Sequence, residues 1–167
     1  MVIQKLHGIA GDKGHKKVKA NHIGHVHLNV RNLEKAESFY ADVFGFRVTE
    51  RIRDTFVFLS LGDQHHDLAL RNVGENAPTP PELSVGMYHF AIEVENLKSL
   101  AEIYKKLHEM GISIGSSDHG ISHALYFCDP EGNEVEAYVD TRNRNDEQTN
   151  SKPKPLDLDE LLSHLGS

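Results

Sequence analysis

The feature that most constrains this chain is a repeat. His25-Val26-His27-Leu28-Asn29-Val30 returns as His89-Phe90-Ala91-Ile92-Glu93-Val94, 64 positions later (89 − 25 = 64). Aligned, the segments share His-x-x-(Leu/Ile)-x-Val-x-Asn-Leu, ending at Asn32-Leu33 and Asn96-Leu97. Self-similarity at this period means two copies of one supersecondary unit. In each copy apolar and polar residues alternate, so one face of the strand takes Val26, Leu28 and Val30, or Phe90, Ile92 and Val94. The opposite face takes His25, His27 and Asn29, or His89, Ala91 and Glu93.

The rest of each unit reads the same way. Asn32 and Asn96 are good helix N-caps. Leu33, Ala36, Phe39, Tyr40 and Val43 recur at helical spacing, as do Leu97, Leu100, Ile103, Tyr104 and Leu107. Gly45 and Gly111 stop the two helices. Three short strands are expected after each helix, over 46–48, 55–61 and 67–70 in unit one and 112–114, 124–128 and 133–139 in unit two. The predicted fold is α+β, two βαβββ modules over 22–71 and 86–140 joined by a Pro-bearing linker. Residues 1–20 form a lysine-rich stretch without periodicity, expected to be a flexible basic arm. Residues 141–167 read as a polar linker and a short amphipathic helix carrying Leu158, Leu161, Leu162 and Leu165 on one face.

Composition narrows the function classes. A net charge of −7 argues against nucleic acid as partner. No apolar run approaches a membrane span, and no signal-peptide core opens the chain. A single cysteine, Cys128, excludes an intramolecular disulfide and suits a reducing cytoplasm; it reads as a core thiol.

The expected site follows from the faces. Val135, Ala137 and Val139 take the helix side of the last strand, leaving Glu134, Glu136 and Tyr138 on the side of His89. His25, His89 and Glu136 then make a 2-His-1-carboxylate set, which binds a divalent metal and leaves positions open for substrate and dioxygen. His27 shares the face of His25, but in the repeat it matches Ala91, whereas His25 matches His89.

At these residues the chain resembles the vicinal-oxygen-chelate superfamily, which includes glyoxalases, bleomycin and fosfomycin resistance proteins and type I extradiol dioxygenases. Asp129-Pro130-x-Gly132-Asn133-x-x-Glu136 is a mark of that superfamily. The resemblance implies paired modules forming a cup-shaped half-barrel around the metal, and a homodimer, with the leucine stripe at 158–165 offering further apolar surface. Where glyoxalase I-type enzymes carry a fourth ligand, this chain has Ala69. His66-Asp67-Leu68-Ala69-Leu70 and His119-Gly120-Ile121-Ser122-x-Ala124 resemble segments of the extradiol branch. That branch implies His66 as catalytic acid/base, His119 and Tyr126 as groups orienting the diol, and Fe(II) as metal, with Mn(II) or another divalent ion as alternatives. The expected activity is ring cleavage of a catechol-like diol by O2. A glyoxalase-like isomerase or lyase, a fosfomycin-type thiol transferase and a drug-binding resistance protein stay open as alternatives.

Overall fold

The computed structural model describes residues 19–81, 83–142 and 152–166. Most of the expected basic arm (1–18) and of the polar linker (143–151) lies outside them.

Unit one runs β1 (Val26–Val30), α1 (Leu33–Phe44), β2 (Arg47–Ile52), β3 (Phe56–Ser60) and β4 (Leu68–Asn72). Unit two repeats it as β5 (Phe90–Glu93), α2 (Leu97–Glu109), β6 (Gly115–Asp118), β7 (Ser122–Cys128) and β8 (Glu134–Asp140). Each unit makes a four-stranded mixed sheet, ordered β1-β4-β3-β2 and β5-β8-β7-β6. In both, the first strand pairs in parallel with the last, and the other pairs are antiparallel. Neither sheet closes into a barrel.

The local signals are realised by hydrogen bonds. The Asn32 side chain accepts from the Lys35 N–H at 2.9 Å, and the Asn96 side chain accepts from the Ser99 N–H at 2.9 Å. Gly45, at φ 78°, takes the left-handed conformation that lets its N–H close on Ala41 O. Two strands depart from expectation, and β2 runs over Arg47–Ile52 where 46–48 was expected. Residues 112–114 are not a strand; β6 begins at Gly115, in register with Tyr126. Ile112 and Ile114 pack against the core, so their alternation records burial, whereas the paired residues that follow are mostly small and polar.

The two units share one core. From α1, Phe39 and Phe44 approach Phe127 of β7, with ring centroids 6.2 and 6.1 Å apart, and Tyr40 lies 6.4 Å from Phe90 of β5. Tyr40 is fully buried, and its hydroxyl donates to Asp129 Oδ2 at 2.8 Å. Asp129, only 4% exposed, also accepts the N–H groups of Glu131 and Asn133 and the Asn133 side-chain amide. Burial and the neighbouring carboxylate push the Tyr40 hydroxyl far above its ordinary pKa, so it remains a donor. The same turn returns to α1 through Glu131, which accepts from Arg31 at 3.1 Å and from the Asn32 N–H at 3.2 Å. That carboxylate sits at the positive end of the helix.

The C-terminal leucine stripe is used within the chain. Helix α3 (Leu158–Ser163) and the 3-10 turn after it pack on α2, burying Leu156 and Leu161. Just before it, Lys154 bridges antiparallel to Asp118 at the edge of β6. No helix among the described residues is long and apolar enough to cross a membrane. Cys128, expected in the core, is exposed. It alternates with Phe127 along β7, and only Phe127 turns into the core.

Tyr40→Phe removes one donor from a carboxylate that stays buried, so it should cost about 1 to 3 kcal/mol in denaturant unfolding. A loss below roughly 0.5 kcal/mol would show that water replaces the hydroxyl without cost.

Candidate metal centre

Burial alternates along β1, with Leu28 and Val30 buried and His27 and Asn29 exposed. His25, two residues before His27, continues the exposed face. His66 comes to the same place by another route. The loop before β4 is held by Asp67, whose carboxylate accepts from Leu61 N–H at 2.9 Å and from the Ser60 hydroxyl at 3.0 Å. Its backbone joins two strands, donating to Leu59 O and accepting from the Val26 N–H. His66 is thereby hung beside the start of β1, its ring 4.5 Å from that of His25 and 5.8 Å from that of His27. Among the described residues, His25, His27 and His66 form the one group of three whose ligand atoms all lie within 4.8 Å of one another.

A chain of contacts orients His66. His65 Nε2 lies 3.2 Å from Glu50 Oε2, and His65 Nδ1 lies 2.9 Å from His66 Nδ1. With His65 giving its Nε2 proton to Glu50, its Nδ1 accepts from His66 Nδ1–H. His66 Nε2 is then a bare lone pair, and it is buried without a hydrogen-bond partner among the described residues. Burial, and then the neighbouring imidazoles led by His25, hold His66 below its ordinary pKa. His27 is lowered in the same way, by burial and then by His25. Phe58 stands edge-on to His66 at 5.0 Å and to His27 at 6.2 Å.

Unit two supplies a second constellation. Strand register sets Glu136 of β8 opposite Ala91 of β5 and opposite Tyr126 of β7. His89, two residues before Ala91, continues that strand's face, and its Nε2 lies 3.1 Å from Glu136 Oε2. Two donors each about 2.1 Å from one ion sit roughly 3 to 3.4 Å apart, so this spacing fits a shared metal. Tyr126 donates to Glu136 Oε1 at 3.0 Å, and its oxygen lies 2.8 Å from His119 Nε2. Because the phenol proton is committed to Glu136, His119 donates through Nε2. Burial, then the bond to Glu136 and its charge, push Tyr126 up to about 12, so it stays a neutral donor. His119 is set by its own turn, where Asp118 accepts from the Gly120 N–H at 2.7 Å. That bond, with Lys154 and His123 as lesser partners, holds the Asp118 carboxyl below the usual range.

The expected residues thus fall into two groups. His89, Glu136, Tyr126 and His119 are brought together in unit two. His25 and His66 are brought together in unit one, with His27 as a third member that the repeat register had set aside. Within one chain the described residues do not unite His25 with His89 and Glu136 in a group of three. The signal for His27 was its spacing: residues i and i+2 of a strand share a face.

Residues 22–137 match the family described as the Glyoxalase/Bleomycin resistance protein/Dioxygenase superfamily. The chain belongs to that superfamily. It is 41% identical over 120 residues to a catechol-2,3-dioxygenase of Bacillus subtilis (strain 168), covering 71% of this chain and 41% of that protein. It is 31% identical over 120 residues to biphenyl-2,3-diol 1,2-dioxygenase 3 of Rhodococcus globerulus, covering 71% of this chain and 63% of that one. The chain therefore spans less than two thirds of these relatives. A solved superfamily domain from Frankia sp. EAN1pec shares the fold at a TM-score of 0.65 and 22% identity, covering 73% of this chain and 99% of that domain. An epimerase and a glutathione transferase also match, so membership of the superfamily leaves the reaction open.

The histidine cluster has a consequence for stability. Folded His27 and His66 sit below the ordinary 6.5, so the unfolded chain binds protons more readily in that window. The stabilising contribution is complete above 6.5 and is lost as pH falls through the depressed folded values. Chelator-treated protein should melt earlier at about pH 5.5 than at about pH 7.5. The double variant His27→Gln, His66→Gln should show a smaller drop, and an equal drop would refute this origin.

Proposed function

We propose that this chain is an extradiol-type dioxygenase that cleaves a catechol-like aromatic diol with O2. His25, His89 and Glu136 would hold its Fe(II), with Mn(II) or another divalent ion as substitutes. The observation that carries the reading is the 3.1 Å approach of His89 Nε2 to Glu136 Oε2, backed by Tyr126 and His119. Two relatives named as dioxygenases of aromatic diols support it. Ala69, in register with His27 and Phe58, offers no fourth protein ligand, which speaks against a glyoxalase I-type centre.

When bound, the ion supplies Lewis acidity toward a diol and the one-electron partner that dioxygen needs. The side chains do the rest. Tyr126, protonated near neutral pH, would turn its hydroxyl from Glu136 to a diol oxygen once that carboxylate holds the ion, with His119 donating to the phenol oxygen behind it. His66 Nε2, neutral and unpartnered among the described residues, accepts the proton that the diol sheds and returns it to the oxygen that departs as the ring opens. Phe58, edge-on to His66, gives the ring an apolar wall.

The set is completed between two copies of the chain, His25 coming from one and His89 with Glu136 from the other. Support comes from the described residues of one chain, which do not bring His25 into a group with His89 and Glu136, and from β1 and β5, each an edge strand of its sheet.

Glu136→Ala and His25→Ala should each abolish stoichiometric Fe(II) binding. Mixed after partial unfolding and refolding, the two variants should recover about a quarter of the sites, because each mixed pair carries one intact set. No recovery would place all three ligands in one chain.

His66→Phe should still bind iron and diol, but cleave the ring about 10² to 10⁴ times more slowly. An unchanged rate would remove His66 from the chemistry. Failure of iron-loaded wild type to cleave any of a broad catechol panel would favour an isomerase or a thiol transferase.

A further inference from the structure

We propose that His25, His27 and His66 form a second divalent-cation site, contained in one copy of the chain and suited to zinc(II). All three ligand atoms lie within 4.8 Å of one another, without any contribution from unit two. Each arrives for a local reason. His25 and His27 stand two apart on one strand face, and His66 is fixed beside them by the Asp67 loop. Ala69 stands opposite His27 in the sheet and adds no ligand of its own. Phe58 backs the cluster on the apolar side.

Two features point to a ligand and not to a mere surface cluster. His66 Nε2 is buried with no hydrogen-bond partner among the described residues, and buried polar atoms are rarely left unpaired. Its other nitrogen faces His65, which in turn reaches Glu50, and that carboxylate-histidine support is how protein sites fix a ligating tautomer. Three imidazoles with an open fourth position suit tetrahedral zinc(II), whereas the mixed nitrogen and oxygen set around Glu136 suits iron(II). On the dioxygenase reading the two sites exclude each other, since zinc in the trio takes His25 from the iron set and the lone pair of His66 from proton transfer. Zinc would then inhibit without entering the iron site.

The test uses the full chain carrying Glu136→Ala, which removes the iron set, and titrates it with zinc(II) alone and with cobalt(II) for its visible bands. One ion per chain should bind, with the intense absorption of four-coordinate cobalt. Adding His27→Ala should weaken binding at least about tenfold and bleach the bands, and adding His66→Phe should do the same. Circular dichroism would check that each variant is folded; His27 is exposed and its loss should leave the fold intact. No binding by Glu136→Ala, or binding indifferent to His27, would overturn the site. The outcome is separate from the dioxygenase reading: His27-dependent zinc binding in a protein that cleaves no catechol would keep the site and discard the reaction. Cleavage insensitive to zinc in wild type, alongside that binding, would overturn the exclusion.

Discussion

The structure depends on the buried joint between α1 and unit two. Phe39 and Phe44 pack on Phe127, Tyr40 packs on Phe90, and the Tyr40 hydroxyl ends on Asp129, which itself folds the turn between β7 and β8. A carboxylate with 4% exposure is tolerable because four donors satisfy it. This joint makes one core of two repeats, and the helix-side faces of both sheets are consumed by it. The polar faces, with all their histidines, must look elsewhere. The site is in that sense a by-product of where the apolar residues went.

Electrostatics then divides the histidines by role. In unit one they lie among one another and Phe58, and burial with the neighbouring imidazoles holds His27 and His66 below their ordinary pKa. In unit two His89 faces Glu136, and the carboxylate is shared with Tyr126 and, through it, His119. On the proposed reading, the imidazoles of unit one and the carboxylate of unit two are complementary halves for a cation with open positions. The same neutrality that would make His66 a base makes it a ligand, and so couples proton transfer to metal competition.

Much of this was legible in the sequence. The repeat, read with strand alternation, predicted which residues of β1, β5 and β8 would face the core, and both Asn caps form as expected. Side-chain period is a local property, so a strand of five residues already carries it. Alternation put Glu136 on the polar face together with Glu134, and strand register sets it beside Tyr126 and Ala91. Strand β6 was misplaced because its paired residues, Gly115 to Asp118, have no apolar signal, while the packed Ile112 and Ile114 do.

What the sequence determined by itself is the pair of modules, their faces and their membership of the superfamily, because each follows from short-range periodicity and short motifs. Which histidines meet was decided only by tertiary structure. His66 reaches His25 through a loop held by Asp67, across a parallel pairing of strands far apart in the chain. His27 joins them from the same strand face as His25, opposite Ala69 in the sheet, and among the described residues His25 forms no group of three with His89 and Glu136. The fate of the leucine stripe was open in the same way, since an amphipathic face needs a partner but does not name one, and here α2 covers it.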